Sequence, residues 1–125
     1  MEKYQLYIDG KFQDSSSNKT FKSLNPATEE PWALVAEAET EDVNKAVDAA
    51  YNAFHGEWSS FLPNERGKFL RAIGDELKDN AELLGTIETQ DTGKMYKETK
   101  FQANYIAEFY YYYACLLYTS DAADE

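Results

Sequence analysis

Leu6-Tyr7-Ile8-Asp9-Gly10-Lys11-Phe12 is the stretch from which the architecture of this chain can first be read. The extended runs Tyr4 to Ile8 and Lys11 to Gln13 flank a two-residue Asp-Gly link. Such a link supplies the positive φ that a type I′ turn requires at both central positions, so the spacing predicts a β-hairpin. Asp14 to Thr20, centred on Ser15-Ser16-Ser17-Asn18, is polar and poor in bulky side chains, and predicts a loop that buries nothing. Phe21 to Leu24 predicts a second short extended segment, halted by Asn25-Pro26 because proline removes a donor and restricts its predecessor. Pro31 to Ala38, carrying Trp32, Leu34 and Val35, predicts a further strand with proline confined to its first position.

Helical periodicity takes over beyond that strand. Thr40 is the expected cap of a helix over residues 41 to 55, with Glu41 and Asp42 at the positive end of its dipole. Val43, Ala46, Val47, Ala50 and Phe54 form its apolar stripe, and Gly56 breaks it. Pro63 opens a second helix, whose predicted buried face is Phe69, Leu70, Ile73 and Leu77. Asn80 is the expected cap of a shorter helix, with Leu83, Leu84 and Ile87 facing inward and Gly93 as its stop. The last helix is predicted from Met95 to Ala114. Phe101, Tyr105, Ile106, Phe109, Tyr112 and Tyr113 cover most of its circumference, which predicts burial on nearly every side. Residues 115–125 end in Ser120-Asp121-Ala122-Ala123-Asp124-Glu125 without an apolar stripe and are expected to be disordered.

Composition limits the functions open to such a chain. A length of 125 residues suits one core. Twelve Lys+Arg against 23 Asp+Glu give a formal charge of -11, which repels phosphate backbones and anionic lipid, so neither nucleic acid nor a membrane is an expected partner. No signal-peptide core and no run approaching the roughly 20 apolar residues of a membrane span is present. With a lone cysteine, Cys115, which has no internal disulfide partner, these features point to a cytoplasmic setting.

Candidate chemistry is sparse. His55 stands at a helix end, where histidines cap carbonyls or face solvent. Cys115 adjoins Leu116 and Leu117, and burial there would raise its thiol pKa and blunt it as a nucleophile. Glycines at 10, 56, 67, 74, 85 and 93 match neither G-x-G-x-x-G nor a Walker loop, so no cofactor-binding residue is read from them. The acidic runs Glu37 to Asp42 and Glu88 to Asp91 fit solvated faces and helix starts better than metal ligands. Asn18-Lys19-Thr20 matches a glycosylation acceptor but lacks the secretory route it needs.

The hairpin sequence Leu6 to Phe12, then Leu24-Asn25-Pro26-Ala27-Thr28, then Glu88-Thr89-Gln90-Asp91-Thr92-Gly93-Lys94 together resemble, in order and spacing, the N-terminal region of the aldehyde dehydrogenase superfamily. Ala33 to Ala50, Asn64-Glu65-Arg66-Gly67-Lys68 and Tyr111-Tyr112-Tyr113-Ala114 resemble it too. The resemblance implies an α/β fold: residues 1–114 form the N-terminal portion of a Rossmann-like dinucleotide-binding domain, incomplete here. It also implies oxidation of an aldehyde to a carboxylic acid with NAD or NADP through a cysteine thiohemiacetal, in a homo-oligomer. The family's Trp-Asn-Phe-Pro segment, cofactor loop, base glutamate and nucleophilic cysteine lie downstream of residue 125, and Cys115 matches none of them. No catalytic residue is therefore assigned, and no cofactor is expected to bind this stretch alone. By resemblance, the carbonyls of Ser23 and Leu24 and the carboxylate of Asp91 map onto a monovalent cation site.

After Ala114 the sequence departs from the family pattern inside a helix, which suggests foreign final codons on an incomplete gene. The leading expectation is thus an inactive N-terminal fragment that self-associates through uncovered aromatic surface. The alternative is a non-catalytic helical interaction module that uses the aromatic helix 101–113.

Overall fold

A computed structural model describes the backbone of residues 1–121 and the side-chain surroundings as far as residue 117. The chain begins with β1 (Glu2–Tyr4), β2 (Leu6–Ile8), β3 (Lys11–Gln13), β4 (Thr20–Leu24) and β5 (Pro31–Ala36). These precede α1 (Thr40–His55), a 3₁₀ turn at Glu57–Ser60, α2 (Pro63–Asp79), α3 (Ala81–Thr92) and α4 (Tyr96–Asp121). Packing divides the chain into two units, Met1–Ser60 and Phe61 onward, where composition had suggested a single core.

In the first unit, Asp9 and Gly10 hold φ of 52° and 74°, the two left-handed positions of the expected turn. β2 and β3 accordingly pair antiparallel, with Ile8 opposite Lys11 and Leu6 opposite Gln13. Tyr4 does not extend this hairpin. It belongs to β1, which pairs in parallel with β5, Tyr4 opposite Val35. β5 is the central strand of this sheet, in the order β1-β5-β4. β4 lies antiparallel to it, and the register breaks between Ser23 and Leu24, so that Trp32 has no opposite residue. The turn from β4 to β5 is held by Asn25, whose Oδ1 accepts the Ala27 N–H at 2.9 Å, an Asx turn before the strand resumes.

The loop over residues 14–20 buries more than its composition suggests. Ser15 is buried and donates its hydroxyl to the Lys19 carbonyl at 3.1 Å. The partner that orders this loop is Asp42, only 3% exposed. Its carboxylate accepts the Ser16 N–H at 3.1 Å, the Ser16 hydroxyl at 3.1 Å and the Glu39 N–H at 3.0 Å. The helix cap is therefore Glu39, not Thr40, with Asp42 reaching back from the third helical position as the acidic half of a capping box. Those N–H groups, Glu39's first, hold the Asp42 carboxyl below the usual aspartate range. Val43, Val47 and Phe54, from the apolar stripe of α1, are exposed.

In the second unit, α2 starts at Pro63, and Glu65 accepts the Leu62 N–H at 2.9 Å. Asn80 does not cap α3 with its side chain. Its Nδ2 points back and donates to the Glu76 carbonyl at 2.9 Å, closing α2 instead. Gly93 ends α3 as expected, in the left-handed conformation with φ 74°, its N–H bonded to the Thr89 carbonyl at 2.9 Å.

The final helix departs most from expectation, because α4 does not end at Ala114 but continues through Asp121. Residues 115–121, expected to be disordered, extend a helix already nucleated. Elongation needs only one more hydrogen bond per residue, and neither glycine nor proline interrupts this stretch. Residues 122–125 of the expected tail lie outside the described residues. Among the described residues no helix is long and apolar enough to cross a membrane.

Candidate functional site

The best-defined geometry lies where α2 and α3 meet α4, and small residues build it. Thr99, Ala103, Ala107 and Ala114 line the buried face of α4. Opposite them stand the buried Gly67 and Gly74 of α2 and Ala81 and Gly85 of α3. A Cβ at Gly85 would lie 2.8 Å from the Lys100 nitrogen, and one at Gly74 would lie 2.6 Å from Cε1 of Tyr111. The helix axes thus approach as closely as backbone allows. Phe69, Ile73 and Leu83, predicted to face inward, are exposed.

One fully buried hydroxyl fixes the α3–α4 crossing. Thr99 Oγ1 lies 2.9 Å from the Gly85 carbonyl, 3.0 Å from the Tyr96 carbonyl and 2.9 Å from Thr89 Oγ1. It can donate to one carbonyl while accepting from Thr89, so this polar atom is satisfied despite its burial. Farther along α4, the Tyr111 hydroxyl donates to Asp75 Oδ1 at 2.7 Å. Lys78 stands 4.8 Å from the Tyr111 ring centroid and pairs with Glu108 at 2.7 Å. The Asp75 hydrogen bond pushes the Tyr111 pKa up, and Glu108 does the same for Lys78, so both stay protonated at neutral pH.

The residues singled out for cation binding divide between the units. Ser23 and Leu24 flank the register break of β4 in the first unit. Asp91 is exposed in the last turn of α3 in the second unit, where its charge adds to the negative end of that helix dipole. Among the described residues, no cluster of three or more His, Cys, Asp or Glu side chains could hold a metal ion. The acidic runs are engaged otherwise: Asp42 by backbone N–H groups, Glu41 by Lys45 at 2.7 Å and Glu88 by Lys94 at 2.6 Å.

Both reactive side chains lie at the surface. His55, in the first unit, is exposed, with its ring 4.3 Å from that of Tyr51. Cys115 is exposed, where its apolar neighbours had suggested burial. It borders an open groove of about 710 Å³ lined by Arg71, Tyr105, Glu108, Phe109, Tyr111 and Tyr112, among others.

The family model for the aldehyde dehydrogenase family matches residues 12–123. The chain belongs to the aldehyde dehydrogenase family. It is 48% identical over 117 residues to (Z)-2-((N-methylformamido)methylene)-5-hydroxybutyrolactone dehydrogenase of Acinetobacter baylyi, a match covering 93% of this chain and 24% of that protein. An aldehyde dehydrogenase of Aspergillus niger is 43% identical over 71% of this chain and 18% of its own length. Among solved structures, a point mutant of betaine aldehyde dehydrogenase from Staphylococcus aureus, in complex with NAD+, superposes with a TM-score of 0.86 and 38% identity. That match covers 90% of this chain and 23% of the solved one. The NAD-dependent aldehyde dehydrogenase of Sinorhizobium meliloti gives a TM-score of 0.87 at 30% identity, with the same coverage. The chain spans about a fifth to a quarter of the length of these relatives, and its mixed α/β architecture is that of the matching part.

Proposed function

We propose that this chain is the opening stretch of the cofactor-binding domain of an NAD(P)-dependent aldehyde dehydrogenase, and that it is inactive by itself. The observation that carries this reading is the extent of the match: 93% of this chain aligns with only 24% of a dehydrogenase. In the complete enzyme the substrate would be an aldehyde, and copies of the enzyme would associate. The bound nicotinamide would accept hydride. The residues of this stretch do not fit that group. Their glycines serve a hairpin turn at Gly10, helix ends at Gly56 and Gly93, and close helix contacts at Gly67, Gly74 and Gly85, leaving no glycine-rich loop to cradle a pyrophosphate. No step of the reaction is therefore assigned to them. Their role is architectural: Asp42 fixes the start of α1, and Thr99 fixes the crossing of α3 and α4. We place the protein in the cytoplasm, where an exposed thiol such as Cys115 stays reduced.

The test is direct. Purified chain incubated with betaine aldehyde and NAD+ or NADP+ should show no increase in reduced nicotinamide, and calorimetry should show no saturable NAD+ binding. Turnover abolished by Cys115→Ser would refute the reading.

A further inference from the structure

We draw no further inference here: the strongest candidate, the polar cleft of about 400 Å³ between the β2–β3 hairpin and α1, lined by Lys11, Asp48 and Asn52 among others, is bounded by exposed side chains, and nothing in the structure shows what covers it.

Discussion

Gly85→Ala sets two known effects against each other, and the structure says which wins. In the interior of an exposed helix the change should stabilise by about 1 kcal/mol, because alanine restricts the unfolded chain and favours the helix. At Gly85, however, the new Cβ would lie 2.8 Å from the Lys100 nitrogen and 2.9 Å from its Cα. Both are backbone atoms of α4, so no side-chain rotation relieves the clash and the helices must part. Overpacking of this kind costs about 1–3 kcal/mol. Separation also stretches the 2.9 Å contact between Thr99 Oγ1 and the Gly85 carbonyl, and an unsatisfied buried hydroxyl adds about 1–3 kcal/mol. The net expectation is a loss of about 1–5 kcal/mol, read as a lower urea midpoint at unchanged slope. Thr99→Val, which keeps the shape but removes the hydroxyl, should account for part of that loss. Thr86→Ala, on the exposed side of the same helix, should stay within about 0.5 kcal/mol of the parent. A Gly85→Ala chain more stable than the parent would refute the argument that backbone contact sets this crossing.

Two further perturbations follow from the same geometry. Gly93→Ala puts a Cβ on a residue at φ 74° and should cost roughly 1–2 kcal/mol in equilibrium unfolding, with little change in overall helix content. The pH profile should carry the signature of Asp42: its folded pKa is held down by the N–H groups of Glu39 and Ser16, so its contribution is fully present above the unfolded value of about 3.9 and is lost as pH falls through the lower folded value. Asp42→Asn should reduce stability at neutral pH and flatten that acid limb, which denaturation at stepped pH will show.

Features fixed by local chemistry were legible in the sequence. Asp9-Gly10 specified its turn, Gly93 its helix stop and Pro63 its helix start, because each depends on the φ or the missing N–H of one residue. Pairing between distant segments was not. Nothing in Glu2-Lys3-Tyr4 announces that it runs parallel to β5. The capping carboxylate was missed because Thr40 offered a better-known cap, although the spacing of Glu39 and Asp42 carried the signal. Most instructive is α4. Hydrophobicity predicted burial on nearly every side, yet packing within this chain covers the small side, since only Ala, Gly and Thr let helices approach to backbone contact. The recurrence of Ala103, Ala107 and Ala114 opposite Gly67, Gly74 and Gly85 was the readable clue. The candidate site residues Ser23, Leu24 and Asp91 came from resemblance and not from any local pattern, which is why the residues alone could not assign them.

The central claim, that this chain is the opening quarter of a working aldehyde dehydrogenase, is tested most directly by transplantation. Residues 4–114 should replace the matching stretch of the Staphylococcus aureus betaine aldehyde dehydrogenase, to which the chain is 38% identical with a TM-score of 0.86. The account predicts a soluble chimera that reduces NAD+ in the presence of betaine aldehyde, because the transplanted residues supply scaffold while the recipient supplies the cofactor loop and the reacting groups. A chimera that folds cooperatively yet neither binds NAD+ nor oxidises the aldehyde would contradict it.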